Sequence, residues 1–491
     1  MKLLLLPLTI LGLFLTPVLH AESKPPLNVL LITADDLTYD SLGTYGCEVP
    51  NITPNLDRLA RQGLRFHHAH VNIAVCQPCR QSIMTGRYPH TNGSRGFDPI
   101  DPNVPTLQER LREAGYLNGI LGKEKHLKPM ERYCWDLCAT EGDLSSGAGI
   151  GRSPQKYHDY TRQFLELAKE RKKPFFLMAN IHDPHRPFAG SAQELRSWGR
   201  DLPKVRRTIG EKDVTVPAFL AELPEVKKEI AEYYTSVYRT DESAGAILKA
   251  LEESGFADNT IVMFLSDNGI AVPFAKANCY LDSTKTPWIV SWPGTVKPGR
   301  VDDTHLISGI DFMPTILEAL GLEQVDNMDG RSFLPVLRGE QQEGREHAFT
   351  EFHYTFARRC FPMRAVQGRR FGYIVNFWAG RTKPMRMDST SGLTFNAMKK
   401  AGESDPEIAA RVTLFEHRVL EEFFDFEQDP HGLHNLVGNP EYEAEIAKAR
   451  EVLRSEMQRT KDPALTAFDQ LDDPAALDQI MEDATRRAKR N

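Results

Sequence analysis

The sequence predicts an α/β fold, with helices covering both faces of a sheet, followed by a smaller α+β domain. Three observations predict it. Strand-like and helix-like segments alternate from residue 28 to about 335. Polar clusters stand just past the ends of several apolar runs, the edge at which open α/β sheets bind ligands. Around Gly339 to Glu346 the chain turns polar and rich in Gly and Glu, which marks a domain boundary. A chain of 491 residues is in any case too long for one ordinary domain.

Taken in order, residues 1–21 read as an export signal. Lys2 supplies the positive end, Leu3 to Leu19 is almost wholly apolar, and Ala21 offers a cleavage point before Glu22. The apolar stretch holds Pro7 and Pro17 and is short for a spanning helix. No later segment is long and apolar enough to cross a membrane, so a periplasmic or secreted protein is expected. Residues 22–340 form the expected catalytic domain. Asn28 to Thr33 is its first strand, soon followed by Asp35-Asp36. Thr53 to Phe66 reads as a helix through Leu56, Leu59, Ala60 and Leu64. Leu117 to Leu121 is a short strand ending at Gly122-Lys123, and Phe175 to Ile181 another, ending at His182-Asp183. Glu225 to Ser254 is a long amphipathic helix, and Thr260 to Leu265 a strand ending at Ser266-Asp267-Asn268-Gly269. Residues 341–491 form the smaller domain, with a strand at Phe371 to Phe377 and a helix near Glu441 to Arg459. The tail from Asp469 is expected to be partly frayed.

Composition excludes some functions. Net charge is -7, with no basic block dense enough to track a nucleic-acid backbone. An acidic protein still binds an anion where local cations and a metal dominate the site. The seven cysteines are Cys47, Cys76, Cys79, Cys134, Cys138, Cys279 and Cys360. An oxidising compartment permits disulfides, and Cys134 with Cys138 is a candidate pair. A zinc site is not expected, because no second closely spaced Cys or His pair accompanies them.

Several polar clusters carry chemistry. Asp35-Asp36 and Asp267-Asn268 sit at two strand ends. Alone, each pair reads as a capping or turn element. Together they offer four side-chain oxygen donors, a set suited to Ca²⁺ or Mg²⁺ rather than zinc. Arg80 and Lys123 can hold an oxyanion, one as a planar fork and one as a point charge.

The most specific signal is Cys76-Gln77-Pro78-Cys79-Arg80 followed by Thr85-Gly86-Arg87. This run resembles the C-x-P-x-R and T-G-R signature of type I sulfatases, and the resemblance extends over nearly the whole mature chain. It implies an alkaline-phosphatase-like fold, a large mixed sheet flanked by helices. It implies that a maturation enzyme oxidises Cys76 to formylglycine, whose hydrated form attacks sulfur and then expels the sulfate. It implies calcium held by Asp35, Asp36, Asp267, Asn268 and the modified Cys76, with Mg²⁺ the less favoured ion. Further matches imply Arg80, Lys123 and Lys276 as sulfate contacts, His126 as the base that triggers sulfate release, and His182 as proton donor. His185 and Arg186 are implied farther out, on the sugar. Gly122-Lys123-Glu124-Lys125-His126 departs from the family's G-K-x-H by one residue, and Lys123 is taken as the family Lys because it follows the strand-end Gly.

His182 to Arg186, Ser266 to Ile270 and Pro362 to Val366 are similar to the N-sulfoglucosamine sulfohydrolase (sulfamidase) branch, and Glu422 to Leu436 to a closing segment common to sulfatases. Lys276 stands where that branch has Arg. The implied substrate is a sulfated saccharide, first an N-sulfoglucosamine of heparan-type glycans. The alternatives are an O-sulfatase on algal or host glycans, a phosphonate monoester hydrolase or phosphodiesterase using the same aldehyde, and a non-catalytic glycan-binding protein with unconverted Cys76.

Overall fold

The computed structural model describes residues 26–145, 150–198, 202, 205–381 and 383–490. The expected export signal lies outside them. Eight strands form one sheet: β1 (Asn28–Asp35), β2 (Leu64–His70), β3 (Leu117–Leu121), β4 (Leu137–Ala139), β5 (Phe175–Pro184), β6 (Thr260–Ser266), β7 (Trp288–Ser291) and β8 (Arg300–Ser308). Their order is β4-β3-β5-β1-β6-β7-β2-β8. Only β7 runs against its neighbours, so the sheet is mixed. Every residue of β1 and β5 is buried, which is why both read as nearly unbroken apolar runs.

Helices α1 (Pro54–Arg61), α2 (Cys76–Thr85), α3 (Pro154–Arg171) and α4 (Pro224–Ser254) flank this sheet. Helix α4 buries Ile230, Tyr233, Val237, Ala244, Ile247 and Leu251, the apolar stripe visible in the sequence. A second, antiparallel sheet has the order β12-β11-β10-β9, from β9 (Ala348–Tyr354), β10 (Cys360–Gln367), β11 (Phe371–Asn376) and β12 (Glu421–Asp425). One apolar core runs from Val29 and Leu31 of β1 into Phe352 and Met363 of this second sheet. A separate cluster joins Val366, Tyr373 and Phe423 to Ile446, Leu453 and Met457 of α5 (Glu443–Arg459).

Three expectations are corrected. The helix expected over Thr53 to Phe66 stops at Arg61, and Leu64 begins β2 instead. Gly63 is the reason. A Cβ there would lie 2.1 Å from the Val290 carbonyl oxygen, so the chain passes hard against β7 and cannot keep a helical turn. The tail is not frayed: Pro474–Arg490 is a helix, α6, whose Leu477 and Ala488 are buried. Cys134 and Cys138 do not pair, and every cysteine is a free thiol. The Cys134 thiol points at the Glu131 and Arg132 carbonyl oxygens, while Cys138 is exposed on β4.

Gly63→Ala should therefore cost roughly 1–3 kcal/mol of stability through overpacking. Denaturant titration checks it, and an unchanged midpoint would show that β7 yields without cost.

Candidate active site

Cys76 is the first residue of α2, and the signature around it makes local sense. Pro78 lies in the first turn, where the missing N–H has no intrahelical partner to lose. Arg80 is one turn beyond Cys76 and so shares its face, donating to the Cys76 carbonyl oxygen at 3.3 Å. Cys79 turns away into the apolar core. Thr85-Gly86-Arg87 closes the helix rather than joining the site. Gly86 takes φ 64 and its N–H reaches the Ser82 oxygen, while Arg87 donates to Asp326.

The pairing register assembles the acidic half. β1 and β6 run parallel in step to Ala34 and Ser266, so the residues that follow emerge side by side. The Asp36 N–H donates to Asp267 Oδ1 at 3.1 Å, and Asn268 Nδ2 donates to Asp36 Oδ1 at 2.7 Å. The Cys76 sulfur lies 4.0 Å from Asp36 Oδ1 and 3.8 Å from Asn268 Oδ1.

Three cations face three carboxylates. Arg80 pairs with Asp267 and lies 3.7 Å from Asp35, Lys123 pairs with Asp35, and Lys276 pairs with Asp36 at 2.7 Å. All six are buried. Lys123 takes φ 54 just after Gly122 at φ 66, which turns its chain back under β3, whereas Lys125 is exposed. Of the two, Lys123 is the one that reaches the acidic cluster.

Asn180 on β5 ties these parts together. It accepts from Arg80 Nε at 3.2 Å and Thr33 Oγ1 at 2.8 Å, and donates to the Leu121 and Gly122 carbonyl oxygens. No motif announced it, although a lone Asn inside a buried apolar strand was a usable signal.

The acidic set fits a hard divalent cation. Oxygens of Asp35, Asp36 and Asp267 all lie within 4.8 Å of one another. Asp35 is fully buried, its Oδ2 paired with Lys123 and its Oδ1 left without a hydrogen-bond donor. Carboxylate and amide oxygens suit Ca²⁺ or Mg²⁺. Burial opposes ionisation of Asp35, but Lys123, His185 and Arg80 outweigh it and hold the carboxyl well below its usual range. Burial and the same carboxylates push the Cys76 thiol well above its usual value, so it is not a thiolate nucleophile.

A cavity of about 480 Å³ opens over this cluster, with Cys76, Lys123, His126, His185 and Lys276 among its lining, whereas Arg80 and His182 are buried and do not line it. Burial, then nearby Lys123, lowers His126 and His182 well below the ordinary histidine value, so both are neutral. His182 Nδ1 stands 3.6 Å from Glu141 Oε1, and neither ring nitrogen has a hydrogen-bond partner. His185 stands nearer the acidic set, with Nε2 4.0 Å from Asp36 Oδ2.

Arg186 corrects the expectation of a sugar contact. Its guanidinium is buried, pairs with Glu229 of α4 and donates twice to the Ala271 carbonyl oxygen, so it does not line the cavity. Two functional candidates were missed. Glu141 follows β4 and lies 4.0 Å from Lys123 Nζ. Asp388, from the chain after β11, pairs with Lys276 at 2.6 Å. Each is a lone acid in a polar stretch, with nothing local to single it out.

The chain matches known proteins over most of its length. The family model described as "Sulfatase" matches residues 27–322, and "N-sulphoglucosamine sulphohydrolase, C-terminal" matches residues 271–387. The chain is 31% identical over 473 residues to N-sulphoglucosamine sulphohydrolase of Homo sapiens, covering 90% of this chain and 92% of that protein. It is 27% identical to an ulvan-active sulfatase of Formosa agariphila, covering 86% and 78%. Among solved structures, a protein in complex with its substrate D-glucosamine-2-N,6-O-disulfate superposes with a TM-score of 0.65 at 19% identity. That match covers 89% of this chain and 99% of the other, and shows the shared fold.

Saturating Ca²⁺ should raise the melting temperature, since a ligand at a hundredfold its Kd stabilises by about 2.7 kcal/mol. Asp36→Asn and Asp267→Asn should abolish the shift. Stoichiometric zinc without calcium or magnesium, by elemental analysis of purified protein, would overturn this ligand assignment.

Proposed function

The chain belongs to the sulfatase family, and we propose that it cleaves the S–N bond of an N-sulfated glucosamine, using formylglycine at position 76 and Ca²⁺. The observation that carries the reading is Cys76 at a helix start, facing three carboxylates and three cations on the strand ends. Similarity to the human N-sulphoglucosamine sulphohydrolase, over most of both chains, supports the choice of sugar.

Asp35, Asp36, Asp267 and Asn268, with the oxidised Cys76 side chain, would hold the calcium. The ion would supply positive charge beside the sulfate oxygens. Formylglycine would supply an oxygen nucleophile, which a buried un-ionised thiol does not. The remaining roles belong to the side chains. Arg80, Lys123 and Lys276 concentrate positive charge at the cavity floor and orient the sulfate. Charge balance explains why so many ions are tolerated there. Three carboxylates already offset three cations, so the dication would leave net positive charge to meet the singly charged sulfamate of the substrate.

His126, neutral and with Nδ1 unpartnered, is placed to accept a proton for sulfate release. His182 donates to the departing nitrogen. An amine leaves poorly unless protonated as the bond breaks. The negative charge of the bound sulfamate favours the protonated imidazole, against the burial that keeps it neutral in the free protein. Glu141 Oε1 stands 3.6 Å from Nδ1 and makes no hydrogen bond to it, so neither ring nitrogen is tied up before substrate binds. The ulvan-active relative favours a second reading, an O-sulfatase on a sulfated polysaccharide.

Incubation with N-sulfoglucosamine and with glucosamine 6-O-sulfate decides between them. Sulfate from the first is expected; sulfate from the second alone would keep the sulfatase and refute the sulfamidase. His182→Ala should slow the saccharide by ~10²–10⁴-fold, and an activated aryl sulfate much less. Because His182 is protonated only below its lowered pKa, this difference should grow as pH falls. Equal losses on both substrates would make it a binding or structural residue. Peptide mass spectrometry of active protein should show an aldehyde in place of the thiol at position 76. Full activity with only unmodified Cys76 would end the formylglycine mechanism.

A further inference from the structure

The cavity has a charged floor and a different roof. The floor comes from the large sheet and α2. The roof comes from the second sheet: Phe356 and its neighbours in the turn between β9 and β10, and Met387 and Asp388 after β11. Phe356 is 77% exposed, the most exposed large apolar side chain among the described residues. Its ring meets Phe97 edge to face at 5.2 Å and 88°, and Phe97 meets His126 in the same way at 5.9 Å and 86°. A phenyl ring open to water at a cavity mouth offers a flat apolar face. Asp388 supplies a polar counterpart. Its carboxylate binds Lys276 yet stays 43% exposed.

A pyranose matches this pairing, with an apolar C–H face and a rim of hydrogen-bonding groups. The cations hold the sulfate at the floor, so the ring that carries it must project toward the roof. We propose that Phe356, braced by Phe97, is the platform on which the sulfate-bearing sugar ring stacks. The proposal rests on the reading of the chain as a saccharide sulfatase and adds how the sugar itself is held.

The test compares Phe356→Leu and Phe356→Ala with Phe356→Tyr and Phe356→Trp, using N-sulfoglucosamine and glucosamine 6-O-sulfate. Whichever saccharide the unaltered protein cleaves is the probe. Loss of the flat ring should lower kcat/KM roughly tenfold or more, carried by KM, because stacking binds ground and transition states alike. Tyr and Trp should restore most of it. Melting temperatures should not move, since the side chain is exposed. Calorimetric binding of the same saccharide to Cys76→Ala protein should weaken by the same factor, independently of turnover. Leu performing as well as Phe, in KM and in binding, would overturn the platform while leaving the sulfatase reading intact. Failure of the unaltered protein to bind or cleave either saccharide would overturn the glucosamine-sulfate reading, and the platform with it.

Discussion

The structure depends on a buried balance of charge at the ends of β1 and β6. Asp35, Asp36 and Asp267 crowd together, and Arg80, Lys123 and Lys276 neutralise them. Ions are expensive away from water, and removing one partner of a buried pair typically costs about 3–5 kcal/mol. Much of the nearby architecture serves to hold this cluster. Parallel register delivers the acids, α2 delivers Arg80, and the left-handed turn after β3 delivers Lys123. Asn180 then ties the Arg80 side chain to β1 and β3.

Burial also decides proton states. The same exclusion of water that strengthens the ion pairs keeps His126 and His182 neutral and Cys76 un-ionised. Histidines in this state are weak bases, and negative charge brought close to them is what raises their affinity for a proton.

The second sheet does more than cap the first. It shares the apolar core through Phe352 and Met363, so its turns are held firmly over the cavity. Its chain also reaches Lys276 through Asp388. The large sheet thus carries the charged cluster, and the second sheet supplies the facing wall of the cavity.

Local chemistry was legible in the sequence wherever it repeats at short range. Apolar runs marked the strands, helical spacing marked α4, and the Cys76 to Arg87 signature marked the start and end of α2. The acid pairs at Asp35 and Asp267 were visible as pairs. Their union was not, because Asp36 and Asn268 are 232 residues apart and meet only through strand pairing. Tertiary structure alone placed Asp388 on Lys276, Glu141 beside His182 and Phe356 over the cavity, since each is an ordinary residue until a distant segment packs against it. It also withdrew Arg186 from the sugar, because Glu229 of α4 meets its charge inside the protein. Gly63 shows the same limit within one element. The helical pattern through Leu64 was real, but close passage of the β7 backbone outweighed it, and no reading of neighbouring residues contains that contact.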